Sequence, residues 1–240
     1  MEKNIKEEFI STLSHEIRTP LTSIKGFSQT MLSSWDKIND DKKKEFIKII
    51  LSQSERLINL VENVLNVAKI DSNSQNLILS KVDINKVIQN CINLVKISNP
   101  KFVFEFDEIS KELFSLCDND KIQQVILNIL DNAVKYSINS NKISIKVKNN
   151  DDFNVISIKN FGNYIEEEKI EKIFDKFYRV DSYIQSQTQG SGLGLYIAKS
   201  LIEKMQGKIK VNSSKEEKTV EFLIYIPVYE VEKLTKNIGV

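Results

Sequence analysis

The chain has 240 residues, 41% of them apolar, and its 34 basic and 33 acidic side chains leave a formal net charge of +1. Charges this evenly intermixed argue against a nucleic-acid surface or a polybasic membrane surface, and the length suits one large domain or two modest ones with a real core. Cys91 and Cys117 are too few and too scattered for a disulfide framework or a zinc site, which fits two ordinary buried thiols in a reducing cytosol. No apolar run approaches the roughly 20 residues that span a bilayer, and the N-terminus carries no signal-peptide pattern.

The first predicted element is an amphipathic helix. Ile10, Leu13, Ile17, Leu21, Ile24, Phe27 and Met31 recur three or four apart. His15, the only histidine, lies outside that stripe, with Glu16 about 100° round the helix and Thr19 one turn along on the same face. A neutral imidazole is a nucleophile near pH 7, and a neighbouring carboxylate can orient it and accept its proton; the alternative is a solvated surface histidine. Pro20 removes a backbone donor and should bend the helix just past His15. The polar stretch W-D-K-I-N-D-D (35–41) reads as a turn, with Asn39, Asp40 or Asp41 available to cap a second helix running to about Ile70. There Phe46, Ile50, Leu57, Leu60, Val64 and Val67 form one stripe, with Gln53 in its missing seat. Ile47, Leu51, Ile58, Val61, Leu65 and Ala68 form a second beside it. One partner helix cannot cover so wide a face, so the hairpin is expected to pair with a second copy as a four-helix bundle, or else to pack on its own chain.

The polar stretch D-S-N-S-Q-N (71–76) is the clearest linker, so the expected organisation is a helical domain over 1–71, a linker at 72–76, a second domain over 77–230 and a tail at 231–240. Beyond the linker the period changes. Strands are predicted at Leu77–Leu79, Phe102–Phe106, Leu113–Leu116, Ile143–Val147, Val155–Ile158, Lys208–Val211 and Val220–Ile226, with helices near 84–97, 119–137, 166–173 and 192–205. This interleaving predicts an α/β layer domain, one sheet covered by helices on one face.

Several stretches of the second domain carry chemistry. In Q-V-I-L-N-I-L-D-N-A-V-K-Y-S (124–137), Asn128, Asn132, Lys135 and Tyr136 share one helix face while Val125, Ile129 and Leu130 point towards the sheet. Neutral oxygens one turn apart suit a magnesium ion that stays bound largely to water and phosphate; the lysine can meet phosphate oxygens and the tyrosine can pack on a purine. The polar stretch 182–189 has the composition of a lid. In Q-G-S-G-L-G-L (189–195), Gly190, Gly192 and Gly194 precede a helix, where backbone amides can approach phosphate oxygens.

As whole strings these stretches resemble one family. S-H-E-I-R-T-P-L-T (14–22) resembles the phosphoacceptor box of sensor histidine kinases of bacterial two-component systems. Residues 124–137 resemble the N box of the ATPase fold that these kinases share with gyrase, I-F-D-K-F-Y-R-V-D (173–181) their F box, and G-S-G-L-G-L (190–195) their G2 box. The resemblance implies a dimeric four-helix bundle followed by an α/β sandwich of the Bergerat ATP-binding type. His15 would accept the phosphoryl group, with Glu16 orienting it, and E-x-x-T at Glu16–Thr19 is similar to the family's phosphatase motif. ATP would be held by Asn128, Asn132, Lys135, Tyr136, Asn160, Gly162, Ile165, Arg179 and the turn Gly190, Ser191, Gly192, Leu193, Gly194, with Mg2+ on Asn132 and Asn128; Phe174 and Phe177 would pack beside the lid. ATP-hydrolysing relatives carry a glutamate base one turn before the magnesium-binding asparagine, and Asn128 in that seat favours a kinase over an ATPase.

The chain departs from the family at I-S-I-K-N-F-G-N-Y-I (156–165), where D-x-G-x-G is expected: Asn160 replaces the acid and Tyr164 the second glycine. Two functions therefore stand open. One is an active kinase passing phosphate from His15 to an aspartate of a response-regulator receiver domain. The other is a dimerisation and docking module whose nucleotide site has decayed. The expected partners are a second copy and the regulator, without nucleic acid or membrane contact by this segment. The expected location is the cytoplasm, either as a short catalytic core or as the cytosolic part of an inner-membrane sensor.

Overall fold

A computed structural model of the chain describes residues 2–72, 74–107, 113–138, 140–180 and 191–229. It divides into two compact units, the first ending at Asp71 and the second opening at Ser72.

The first unit is a helical hairpin: α1 (Glu2–Ser34), a 3-10 turn (Trp35–Lys37) and α2 (Asp40–Asp71). Of the three candidate caps, Asn39 serves: its Oδ1 accepts from the Lys42 N–H at 2.9 Å and its carbonyl accepts from Lys43 N at 3.0 Å. Lys43 then staples the corner, 3.2 Å from Asp40 and 4.6 Å above the Trp35 ring. Pro20 is buried and α1 continues across it as a helix. The first apolar stripe of α2 turns towards α1. Met31, Leu60, Val67 and Ile70 are buried, and the Phe27 and Phe46 rings pack with centroids 5.0 Å apart. The second stripe finds no cover within the hairpin. Ile47, Leu51, Ile58, Val61 and Leu65 are each at least 50% exposed.

The second unit contains β1 (Ser80–Asp83), α3 (Ile84–Ser98), β2 (Val103–Asp107), β3 (Phe114–Cys117), α4 (Asn119–Tyr136), β4 (Lys142–Asn150), β5 (Phe153–Phe161), α5 (Gly194–Lys204), β6 (Lys208–Ser214) and β7 (Thr219–Pro227). Strands β2, β4, β5, β7 and β6 form one sheet in that order, with β2–β4 parallel and the other pairs antiparallel; β1 and β3 form a separate antiparallel pair. Alternation along the strands makes the sheet one-sided. Ile143, Ile145 and Val147 of β4, Ile156 and Ile158 of β5 and Phe222, Ile224 and Ile226 of β7 are buried, as are Ile88 of α3, Ile126 and Ile129 of α4 and Ile197 of α5. The opposite row of β5, from Phe153 to Phe161, stays half-exposed. Val125, Ile129 and Leu130 are all fully buried, as the helical period demands.

Most strands shift or lengthen by one to three residues at an end, and four differences from the expected elements have a visible cause. The strand expected at Leu77–Leu79 begins at Ser80, because the Ile78 N–H is taken by the Asp118 carboxylate at 2.9 Å and strand pairing starts at Ser80 opposite Cys117. Leu113 lies just before β3, and its carbonyl accepts the first N–H of α3, from Ile84. The helix expected over 166–173 is two 3-10 turns, Glu167–Lys169 and Lys172–Phe174: eight residues opening on three glutamates are too few to repay helix nucleation. The last helix opens at Gly194 rather than 192 because Gly192 has φ +69°.

Cys91 and Cys117 are buried, and desolvation pushes each thiol up to about 12. Both should therefore resist alkylation at pH 8 in the native chain and react fully once urea unfolds it, which a mass-spectrometric count of adducts reads directly. Rapid native labelling of either would contradict their core placement.

Candidate functional site

The histidine stands on the outside of α1. His15 is exposed, and its backbone carbonyl accepts the Thr19 hydroxyl at 3.2 Å, an i−4 bond that fixes the threonine rotamer one turn away. Glu16 turns inward instead, and its Oε2 pairs with Arg56 Nη2 of α2 at 2.9 Å, both side chains largely sheltered. The sequence reading missed Arg56. Its signal was positional: Glu16 and Arg56 lie at near-equal distances from the hairpin turn, as do the packed rings of Phe27 and Phe46. Arg56 holds the carboxylate that neighbours the histidine in one place.

The second unit carries a cavity of about 530 Å³ at the C-terminal ends of α4 and β5. Local hydrogen bonding builds it. Ser137 caps α4 by donating from Oγ to the Ala133 carbonyl at 2.8 Å and forms a bridge with Gly162; the next residue, Ile138, donates its N–H to the Phe161 carbonyl at 3.0 Å. The last turn of α4 is thereby stitched to the end of β5. A Cβ at Gly162 would collide with the Tyr136 carbonyl, so the stitch requires glycine there.

Of the residues singled out in the sequence, Asn132, Lys135, Tyr136, Asn160, Gly162, Ile165 and Arg179 line this cavity. Ile165 is anchored by its N–H donating to Ser213 Oγ at 2.8 Å. Tyr164, in the seat of a glycine, is also in the wall, 37% exposed, with the Lys215 ammonium 5.6 Å above its ring. Lys169, Lys215 and Lys218, absent from the sequence reading, add basic groups to the lining. Their individual spacing carries no motif, which is why sequence alone did not find them.

Asn160 differs from its neighbour in the same row of β5. Asn154 is fully buried and satisfied: its Nδ2 donates to the Phe114 carbonyl at 3.0 Å and Ser115 Oγ at 2.9 Å, and its Oδ1 accepts from Asn149 Nδ2 at 2.9 Å. Asn160 is only 2% exposed, yet its Nδ2 has no partner among the described residues. A buried unpaired amide donor costs about 1–3 kcal/mol, so a ligand in the cavity is its natural complement.

The remaining candidates lie elsewhere. Asn128 donates from Nδ2 to the Gly194 carbonyl at 3.2 Å, tying α4 to the start of α5. Gly192 accepts the Phe177 N–H at 3.0 Å, and a Cβ there would come within 2.8 Å of the Phe177 backbone, so this glycine is demanded by packing against Phe177, itself at φ 61°. Leu193 is fully buried, and Ser191 Oγ accepts its N–H at 3.4 Å. Phe174 is buried beneath the Lys199 ammonium. Gly190 and the polar stretch 182–189 lie outside the described residues.

The cavity suits a nucleoside polyphosphate. Lys135, Lys169, Lys215, Lys218 and Arg179 outnumber the single Glu166, while Ile138, Ile173 and Val220 supply an apolar wall. Among the described residues no cluster of three or more acidic, histidine or cysteine side chains forms a metal cage. A magnesium ion there would be held through phosphate oxygens, water and the Asn132 amide oxygen.

The comparisons with known proteins agree with this geometry. Residues 117–230 match the family of histidine kinase-, DNA gyrase B- and HSP90-like ATPases, and residues 5–73 match the His kinase A phosphoacceptor domain. The catalytic domain of the histidine kinase ThkA is 31% identical, with TM-score 0.53 over 62% of this chain and 95% of that one. The chain belongs to the histidine kinases. The sensor protein kinase WalK of Staphylococcus aureus (strain MRSA252) is 34% identical over 221 residues, which is 91% of this chain and 36% of the relative. The chain thus spans about a third of that relative's length. ThkA solved in complex with the response regulator TrrA is 28% identical, with TM-score 0.69 over 95% of this chain and 63% of that one. In this histidine kinase the hairpin corresponds to the phosphoacceptor domain and the α/β unit to the ATPase-type domain, whose family implies ATP binding. No helix among the described residues is long and apolar enough to cross a membrane.

Proposed function

We propose that this chain is an ATP-dependent protein-histidine kinase that phosphorylates itself on His15 and hands the phosphoryl group to a receiver-domain aspartate. The observation that carries the proposal is Asn128. The seat of a water-activating glutamate holds an amide that donates to the Gly194 carbonyl, so hydrolysis by water lacks its base. In the forward step an imidazole nitrogen of His15 attacks the γ-phosphorus, the bond to the β,γ-bridging oxygen breaks and ADP leaves. The proton left on the ring passes to Glu16, whose carboxylate, paired with Arg56 in the hairpin, turns outward to take it. Lys135 and Arg179 would neutralise the phosphates, the Asn132 amide oxygen would face their magnesium ion, Tyr136 and Ile165 would flank the base, and Asn160 would read its edge. Mg2+, when bound, supplies charge neutralisation on the phosphates. An aspartate oxygen of the regulator then displaces the histidine nitrogen from phosphorus, giving an acyl phosphate. ThkA, as solved with TrrA, is the precedent for such a partner. The active form proposed is a homodimer through the exposed stripe of α2, located in the cytoplasm as part of a longer sensor.

Titration of the whole chain with Mg-ADP tests the nucleotide half of the proposal, and saturable binding is expected. The reading favoured by Asn160 and Tyr164, a docking module with a decayed pocket, predicts no heat at millimolar nucleotide. The reverse reaction has its own test. Thr19 stands one turn from His15 with its rotamer fixed, and its oxygen can still accept from a water aimed at the regulator's acyl phosphate. Thr19→Ala should leave autophosphorylation within a few-fold and slow regulator dephosphorylation ten-fold or more, about 1.4 kcal/mol of barrier. Glu16→Ala should impair the kinase step instead. Loss of label from purified phospho-regulator with ADP measures the first effect, and equal decay with wild type and Thr19→Ala would leave the threonine a helix-stabilising role.

A further inference from the structure

We infer that Asn160 makes the base subsite accept 6-oxopurine nucleotides as well as 6-aminopurine ones. The inference rests on the nucleotide reading above and extends it to the class of base.

Asn160 ends the inward row of β5, with Ile143 and Val220 as its strand partners in register. Both are buried aliphatics, so the sheet offers the side chain no hydrogen-bonding neighbour. Its Nδ2 is buried without a partner, and the residue lines the cavity. Asn154, the same residue type in the same row of the strand but locked by three bonds, shows what the amide does when the fold itself satisfies it. The unpaired end of Asn160 leaves no bond there to hold the amide in one orientation.

A carboxamide presents one donor and one acceptor side by side, and turning it by 180° about χ2 exchanges them. Adenine presents the 6-amino donor beside the N1 acceptor. Hypoxanthine presents the 6-oxo acceptor beside the N1–H donor. The amide matches the first edge in one orientation and the second in the other. A carboxylate has acceptors only: it pairs with the 6-amino group, and opposite a 6-oxo group it meets a second acceptor. Replacing the acid by an amide therefore removes the element that rejects the 6-oxo base while keeping the pairing with adenine. Discrimination by a buried polar edge is large when one partner is left unpaired, and here neither base leaves the amide unpaired.

The test is calorimetric titration of the full 240-residue chain with Mg-ADP and Mg-IDP. The expected result is dissociation constants within ten-fold of one another, and a ratio in Asn160→Asp at least ten-fold wider in favour of ADP. A thermal melt without nucleotide checks that the aspartate variant is folded. Should it not fold, Asn160→Ala is the second variant, expected to weaken both nucleotides and keep their ratio near that of wild type. A wild-type preference for ADP beyond ten-fold overturns the inference while the kinase reading stands. An Asn160→Asp ratio equal to wild type also overturns it, because the amide then takes no part in selection. If neither nucleotide binds, the nucleotide reading falls and the inference with it.

Discussion

Replacing His15 by Gln should abolish the transfer of label from ATP to the chain and leave nucleotide affinity unchanged within about two-fold. Glutamine is close to histidine in size and polarity, but its amide nitrogen lends its lone pair to the carbonyl and is no nucleophile. The side chain is exposed on α1, so the exchange costs the hairpin no packing. The nucleotide cavity belongs to the other unit and loses no lining residue. The expected loss is therefore complete rather than graded, and it falls on chemistry alone. Filter-bound label after an alkaline wash measures it, because a phosphorylated imidazole survives base and is lost in acid. Acid-labile label persisting in His15→Gln would show that another residue is the acceptor.

The next largest effect concerns assembly. Ile58 and Val61 stand in the exposed stripe of α2, 58% and 50% accessible in the single chain. Full burial of such a side chain is worth about 1.5–3 kcal/mol, so roughly half of that remains to be gained at each position when a second copy covers it. The double change Ile58→Glu with Val61→Glu removes this gain twice per protomer and asks four carboxylates to enter an apolar seam. Dimerisation should weaken by more than about 1,000-fold, which corresponds to roughly 4 kcal/mol. The helical circular dichroism of the chain should remain, because both side chains are already half in solvent in the hairpin. Sedimentation equilibrium checks the state. A dimer that survives the double change, or a concentration-independent monomer for the unmodified chain, would remove α2 as the interface.

What the sequence made legible was whatever repeats with a period or fixes a backbone torsion. The three-four spacing from Phe46 to Val67 located the hairpin seam, and the neighbouring stripe marked by Val61 is the face the hairpin leaves open. Ile143, Ile145 and Val147 located β4 because alternation survives wherever one face of a strand is buried. Gly162 stood out as a nucleotide-box glycine, and the fold also requires it, against the Tyr136 carbonyl. What stayed hidden depends on a second element meeting the first. Arg56 gains its meaning only when α2 folds back beside Glu16. Asn128 reads as one more polar seat beside Asn132, yet its amide is spent on Gly194, sixty-six positions away in the chain. Gly192 reads as a phosphate glycine, yet Phe177 already requires it. Asn154 and Asn160 are indistinguishable in composition; only the presence of Ser115 and Phe114 beside one of them separates a structural amide from one left for a ligand.

The central claim is that a phosphoryl group from ATP comes to rest on the histidine. Incubation of the chain with Mg-ATP, followed by tryptic digestion at neutral to alkaline pH and mass spectrometry, reads it directly. The tryptic peptide Glu7–Arg18 holds His15 together with Ser11, Thr12 and Ser14, so acid lability separates the histidine from the hydroxyls. The account predicts one phosphoryl group on this peptide, retained in base and lost after brief acid treatment. An unmodified peptide, an acid-stable phosphate on it, or phosphate on a different peptide would contradict the account.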